Sequence, residues 1–96
     1  MIKVKKLPTI QALKDAYEYD AGSGMLLSSK TGRFIKTTNA NGYIRVVLKG
    51  EELLGHRVAW KLFYGEEPDG FIDHINGVVD DNRITNLRVV THKENM

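Results

Sequence analysis

The segment from Asn41 to Leu54 constrains this chain more than any other. Asn41-Gly42 accepts the positive φ of a tight hairpin turn. The run from Tyr43 to Lys49 then alternates, with Ile44, Val46 and Leu48 on one side and Tyr43, Arg45, Val47 and Lys49 on the other. Gly50 turns the chain again, into a brief return strand around Leu53 and Leu54. A sheet built on this unit is antiparallel and short.

The flanking segments alternate between helical and extended patterns. Pro8-Thr9 opens a helix with Ile10, Leu13 and Tyr17 on one side, broken at Ala21-Gly22-Ser23-Gly24. Strand-like runs follow at Met25 to Ser28 and Arg33 to Lys36, around the turn Lys30-Thr31-Gly32. A helix is expected from about His56 to Tyr64, stopped by Gly65. Its buried stripe is Val58, Ala59, Leu62 and Phe63, and Arg57 and Lys61 share the outer face. Phe71 to His74 and Leu87 to Val90 read as strands around a loop rich in Asn, Asp and Gly. Thr91-His92-Lys93-Glu94 has the form of a capping box, and the chain stops inside the element that it opens.

Composition narrows the class. Ninety-six residues supply one modest core, and a 42% hydrophobic, 27% charged chain is an ordinary globular domain. Nothing approaches an 18-residue apolar run, and no hydrophobic segment follows the basic N-terminus, so neither a membrane span nor a secretory signal is expected. The absence of cysteine excludes disulfides, thiolate zinc sites and cysteine nucleophiles, and fits a cytoplasmic setting. Residues 1–64 carry 11 Lys/Arg against 5 Asp/Glu, whereas residues 65–96 carry 3 against 7. A basic body and an acidic remainder suit a polyanion on one part and a cation on the other, although composition alone favours solvated surface for both.

The acidic part holds the residues with the most chemistry. A hairpin would bring Asp73-His74 towards the helix begun at Thr91, where Asn95 lies one turn in. Carboxylate and amide oxygens are hard ligands that suit Mg²⁺. An imidazole titrates near neutral pH and suits a general base. Asn86 could hold that imidazole or the loop backbone. Spacing alone leaves the bland readings open: Asp73 as a turn cap, Asn residues as turn formers, His74 as packing.

The run from Phe71 to Asn95, F-I-D-H-I-N-G-V-V-D-D-N-R-I-T-N-L-R-V-V-T-H-K-E-N, resembles the ββα-metal motif of phage-type HNH endonucleases. The likeness lies in D-H-I-N-G, D-N-R-I-x-N-L-R and T-x-x-E-N, and extends upstream through H-R-V-A-W (His56 to Trp60) and G-Y-I-R-V (Gly42 to Val46). The resemblance implies catalytic roles for His74, as the base that deprotonates water, and for Asn86, which orients that histidine and ties the loop together. It implies Asp73 and Asn95 as ligands of Mg²⁺ or Mn²⁺, with His92 as an alternative to Asn95. Zn²⁺ suits this oxygen-rich set less well. The reaction implied is hydrolysis of DNA phosphodiesters, with nicking expected; the chain is expected as a monomer or weak homodimer, and a monomer would nick whereas a dimer could cut both strands.

The expected fold class is α+β: a small antiparallel sheet and helices with a C-terminal ββα-metal motif. Residues 1–55 would supply the N-terminal helix and sheet and 56–96 the motif, in one compact domain cut short at its C-terminus. Arg45, Lys49, Arg57, Lys61 and Arg88 are the candidate DNA-backbone contacts, each also readable as a solvated charge. His56 suits packing or capping at the helix start better than a phosphate contact. Trp60, Phe63 and Tyr64 read as core or rim. A calcium loop starting at Asp73 fails, because Ile75 and Val78 stand where a ligand and a glycine are needed. Two rivals remain: a DNA-binding module of the same fold that does not cut, and a structural zinc protein using His74 and His92.

Overall fold

The computed structural model describes residues 6–90. Helix α1 (Ile10–Ala16) begins at Thr9, whose hydroxyl accepts the Ala12 N–H as an N-cap. It ends at Ala16, short of the break expected at Ala21 to Gly24, because the residues from Tyr17 to Asp20 form a strand instead. Tyr17 leaves the helical register and starts β1 (Tyr17–Asp20), which pairs antiparallel with β2 (Met25–Ser28). Tyr17 still reaches the core expected of it, since its ring is buried and its hydroxyl donates to the Val47 carbonyl at 3.0 Å. The strand expected at Arg33 to Lys36 is reduced to one bridge, between Leu27 and Phe34. Phe34 is exposed there, while Ile35 packs against the core.

The central hairpin forms as its pattern requires. β3 (Arg45–Leu48) pairs antiparallel with β4 (Glu51–Leu54) through the two-residue turn Lys49-Gly50, both at positive φ. Val46 and Leu53 face the core while Val47 is exposed. Helix α2 (Gly55–Tyr64) follows at once and ends at Gly65, left-handed at φ 80°. It packs against α1, β1 and β4. The core consists of Leu7, Leu13, Tyr17, Leu26, Val46, Leu53 and Val58, with Leu48 and Leu62 packed on it.

Two expectations for α2 are corrected. Phe63 is exposed rather than buried. Arg57 and Lys61 are buried rather than on an outer face. The segment after the helix folds back over them. Arg57 Nη1 donates to the Gly70 carbonyl at 2.8 Å, and Lys61 Nζ bridges the Pro8 carbonyl and the Glu67 carboxylate, each at 2.8 Å.

β5 (Phe71–His74) and β6 (Leu87–Val90) form the last hairpin, with Asp73 opposite Arg88 and His74 opposite Leu87. The loop between them closes with a single 3₁₀ turn, Ile84–Asn86, which packs on α2. The described residues thus form an α+β fold of two helices and three two-stranded hairpins. None of its helices is long and apolar enough to cross a membrane.

Candidate active site

Alternation along β5 sends Asp73 and His74 to opposite faces at the strand's end. His74 turns inward and is buried. Its ring is packed edge-on against the His56 ring, with centroids 4.9 Å apart, and lies 5.9 Å from the Tyr43 ring. Its Nε2 meets the Asn82 side-chain oxygen at 2.8 Å. Asp73 turns outward, and both Nε and Nη2 of Arg88 reach its Oδ2 at 2.9 Å. That pair is exposed enough to contribute little to stability. It does leave Oδ1 outside the ion pair.

The long loop is organised by Asn86. Its side-chain oxygen accepts the Asn76 N–H at 2.9 Å, and its amide donates to Asn76 Oδ1 at 2.9 Å and to the Asp81 carbonyl at 2.8 Å. Its own backbone carbonyl accepts the Ile75 N–H. Four bonds from one buried residue therefore span the loop from Ile75 to Asp81. The Arg83 guanidinium donates twice to Asp81 and its backbone N–H once, and this holds the Asp81 carboxyl well below the usual carboxylate range. Of the two tasks expected of Asn86, the loop-tying contacts are present; the residue bonded to the His74 ring is Asn82.

The N-terminal hairpin supports the loop from behind. Tyr19 donates its hydroxyl to the Asn82 carbonyl, and Ala21 accepts the Ile84 N–H at 3.2 Å. Gly24 sits so close to this strand of chain that a Cβ there would lie 2.3 Å from the Arg83 nitrogen. Burial raises the Tyr19 hydroxyl, with Asp20 adding to the effect, so it stays protonated and remains a donor.

His56 takes the packing role at the start of α2. Its Nδ1 is buried without a hydrogen-bond partner among the described residues. Burial is the main cause that pushes its pKa down to about 3, with His74 and Arg57 adding to it. It is therefore a neutral wall for the His74 ring. Tyr43, at 5.5 Å from His56, completes that wall.

The other candidates divide. Asn95 and His92 lie outside the described residues. Lys49 is exposed at the hairpin tip, and Arg45 is ion-paired with Glu52 at 2.9 Å. Arg57 and Lys61 have their charged groups committed inside the protein, which removes them from the surface set. Arg88 stands beside the site, on Asp73. Among the described residues no three His, Cys, Asp or Glu side chains gather as a metal cluster. Asp73 nevertheless fits a hard divalent ion by its chemistry: an outward carboxylate whose Oδ1 lies outside the ion pair. Asn82 was missed by sequence reasoning, because an Asn in a polar loop reads as a turn former.

Residues 54–96 match the family model for HNH endonuclease. No curated protein sequence matches the chain. A solved structure, described as DNA binding and cleavage by the HNH homing endonuclease I-HmuI, aligns with a TM-score of 0.67 at 31% identity. The alignment covers 92% of this chain and 53% of that one, so the chain spans about half the length of this neighbour. The matched segment holds the buried His74, the outward Asp73 and the loop tied by Asn86, and it is this segment that is similar to the HNH endonucleases.

Proposed function

We propose that this chain carries the active site of a divalent-metal-dependent DNA endonuclease. One observation supports this reading most: within the family-matched segment, a packed imidazole and an outward carboxylate occupy consecutive positions at the end of one strand. The neighbour's description as an enzyme that binds and cleaves DNA gives the substrate class.

In this reading His74 is the general base. It takes a proton from water as the water oxygen bonds to phosphorus, and the bond from phosphorus to the 3′ oxygen breaks. The leaving oxygen collects a proton from solvent, and the products carry 5′-phosphate and 3′-hydroxyl ends. Asp73 and Asn95 would hold the divalent ion, Mg²⁺ or Mn²⁺. When bound, that ion supplies electrostatic stabilisation of the phosphate and of the leaving oxygen. Asn86 keeps the loop closed, and His56 and Tyr43 keep the base in place. Arg45, Lys49 and Arg88 supply backbone contacts, and a single site of this kind nicks one strand.

The test is conversion of supercoiled plasmid to open circle with Mg²⁺, with EDTA, and with His74→Ala in Mg²⁺. Nicking that needs the metal and vanishes in the variant supports the proposal. Salt-sensitive DNA binding without nicking, in Mg²⁺ and in Mn²⁺, would replace it with a binding-only module.

A further inference from the structure

The ring of Tyr43 packs beside His74, but its hydroxyl takes no part in that packing. The ring centroid lies 5.9 Å from that of His74 and 5.5 Å from that of His56, and the side chain is half-buried. The hydroxyl bonds to no group of the described residues and, unlike His56 Nδ1, is not sealed from solvent. Two other tyrosines behave differently: Tyr17 donates to the Val47 carbonyl and Tyr19 to the Asn82 carbonyl. A phenol held by its ring and uncommitted at its tip is a donor that lacks only an acceptor.

The position of Tyr43 is fixed by a closed turn. The Asn39 side-chain oxygen accepts the N–H of Asn41 at 2.9 Å and of Tyr43 at 3.1 Å. The Asn39 N–H donates to the Tyr43 carbonyl at 2.9 Å, and Gly42, at a φ of 88°, donates to the Asn39 carbonyl at 3.0 Å. The turn abuts the long loop, since a Cβ at Gly42 would lie 3.4 Å from the Val79 side chain. The charged donors nearby are committed. Arg88 is paired with Asp73 on the opposite face of β5, and Arg57 donates to the Gly70 carbonyl.

From this geometry we infer that Tyr43 is a catalytic residue whose hydroxyl donates a hydrogen bond to a non-bridging oxygen of the DNA phosphate under attack. The inference rests on the proposed function for the identity of the substrate. Negative charge builds on that oxygen as water adds to phosphorus, so the bond is stronger in the transition state than in the bound duplex. The phenol keeps its proton throughout. Ring and hydroxyl thus have separate tasks: the ring holds His74 in place, and the hydroxyl meets the substrate.

The experiment is Tyr43→Phe in the full chain, which keeps the ring and deletes only the hydroxyl. With no bond lost in the free protein, the variant should melt within about 2 °C of wild type. A larger drop would mean that the hydroxyl is bonded inside the protein, and overturns the inference. Single-turnover cleavage of supercoiled plasmid in Mg²⁺ should fall at least about 10-fold, with DNA affinity within about 3-fold of wild type. Cleavage at the wild-type rate also overturns it, whereas a merely structural ring predicts that result. A second readout needs no cleavage. In protein carrying ¹³C at tyrosine Cζ, the Tyr43 signal, assigned by its loss in Tyr43→Phe, should shift when the protein is saturated with a short DNA duplex in EDTA. An unmoved signal overturns the inference whatever the activity. A signal that shifts in a wild-type protein which never cuts DNA, in Mg²⁺ or in Mn²⁺, would sink the proposed function and the catalytic role together, and leave Tyr43 as a DNA contact.

Discussion

Acidification from pH 7.5 to 5.0 should destabilise this protein through His56. The side chain is 5% exposed, its Nδ1 lacks a hydrogen-bond partner among the described residues, and Tyr43, His74 and Arg57 surround it. None of these neighbours offers a negative charge to a buried imidazolium. Burial accordingly pushes the pKa down to about 3, from an ordinary 6.5. Between those values the unfolded chain binds a proton at this residue and the folded chain does not. Stability is therefore complete above about pH 6.5 and is lost progressively as pH falls towards about 3. For those two pKa values the loss at pH 5.0 is about 2 kcal/mol, or a Tm lowered by roughly 10 °C in a domain of this size. Urea midpoints at pH 7.5, 6.0 and 5.0 measure it, with His56→Leu as reference. The variant removes the titrating group without adding a polar atom, and every other group contributes to both slopes. Wild type should lose about 2 kcal/mol more than the variant across the range. Equal slopes would refute the reasoning, since they would mean that the imidazole finds water or a partner when folded.

Other perturbations have equally definite outcomes. Asn86→Ala deletes three side-chain hydrogen bonds to Asn76 and Asp81 and should cost about 2–3 kcal/mol in a urea melt. Gly24→Ala places a methyl group 2.3 Å from the Arg83 nitrogen at a φ of 79°, and should cost at least about 2 kcal/mol in thermal unfolding. Lys61→Met removes the bridge between Pro8 and Glu67; it should lower stability by about 1–3 kcal/mol and leave the salt dependence of DNA binding unchanged.

The parts of this fold legible in sequence are those set by neighbours. Asn41-Gly42 and Lys49-Gly50 bound a strand whose alternation places Val46 inside and Val47 outside. Gly65 stops α2, and the β5–β6 hairpin falls where the apolar runs are. The first miss was a conflict of periods: Leu13 and Tyr17 fit a helix, Tyr17 and Tyr19 fit a strand, and pairing with β2 decided for the strand. The second was Arg57 and Lys61. Their spacing shows that they share a face, but not that Pro8, Glu67 and Gly70 cover it. Of the candidate site, Asp73, His74 and Asn86 stood out through the family resemblance of their segment, while their spacing alone left turn and packing readings open. Asn82 and the wall formed by His56 and Tyr43 did not stand out, because their roles depend on contacts made by distant segments.

The central claim is that His74 carries a DNA cleavage reaction and that binding is separate from it. Single-turnover cleavage of supercoiled plasmid in Mg²⁺, with DNA affinity measured on the same wild-type and His74→Ala preparations, tests it most directly. The rate should be at least about 100-fold lower in the variant, with affinity within about 3-fold of wild type. Equal cleavage by both proteins would contradict it.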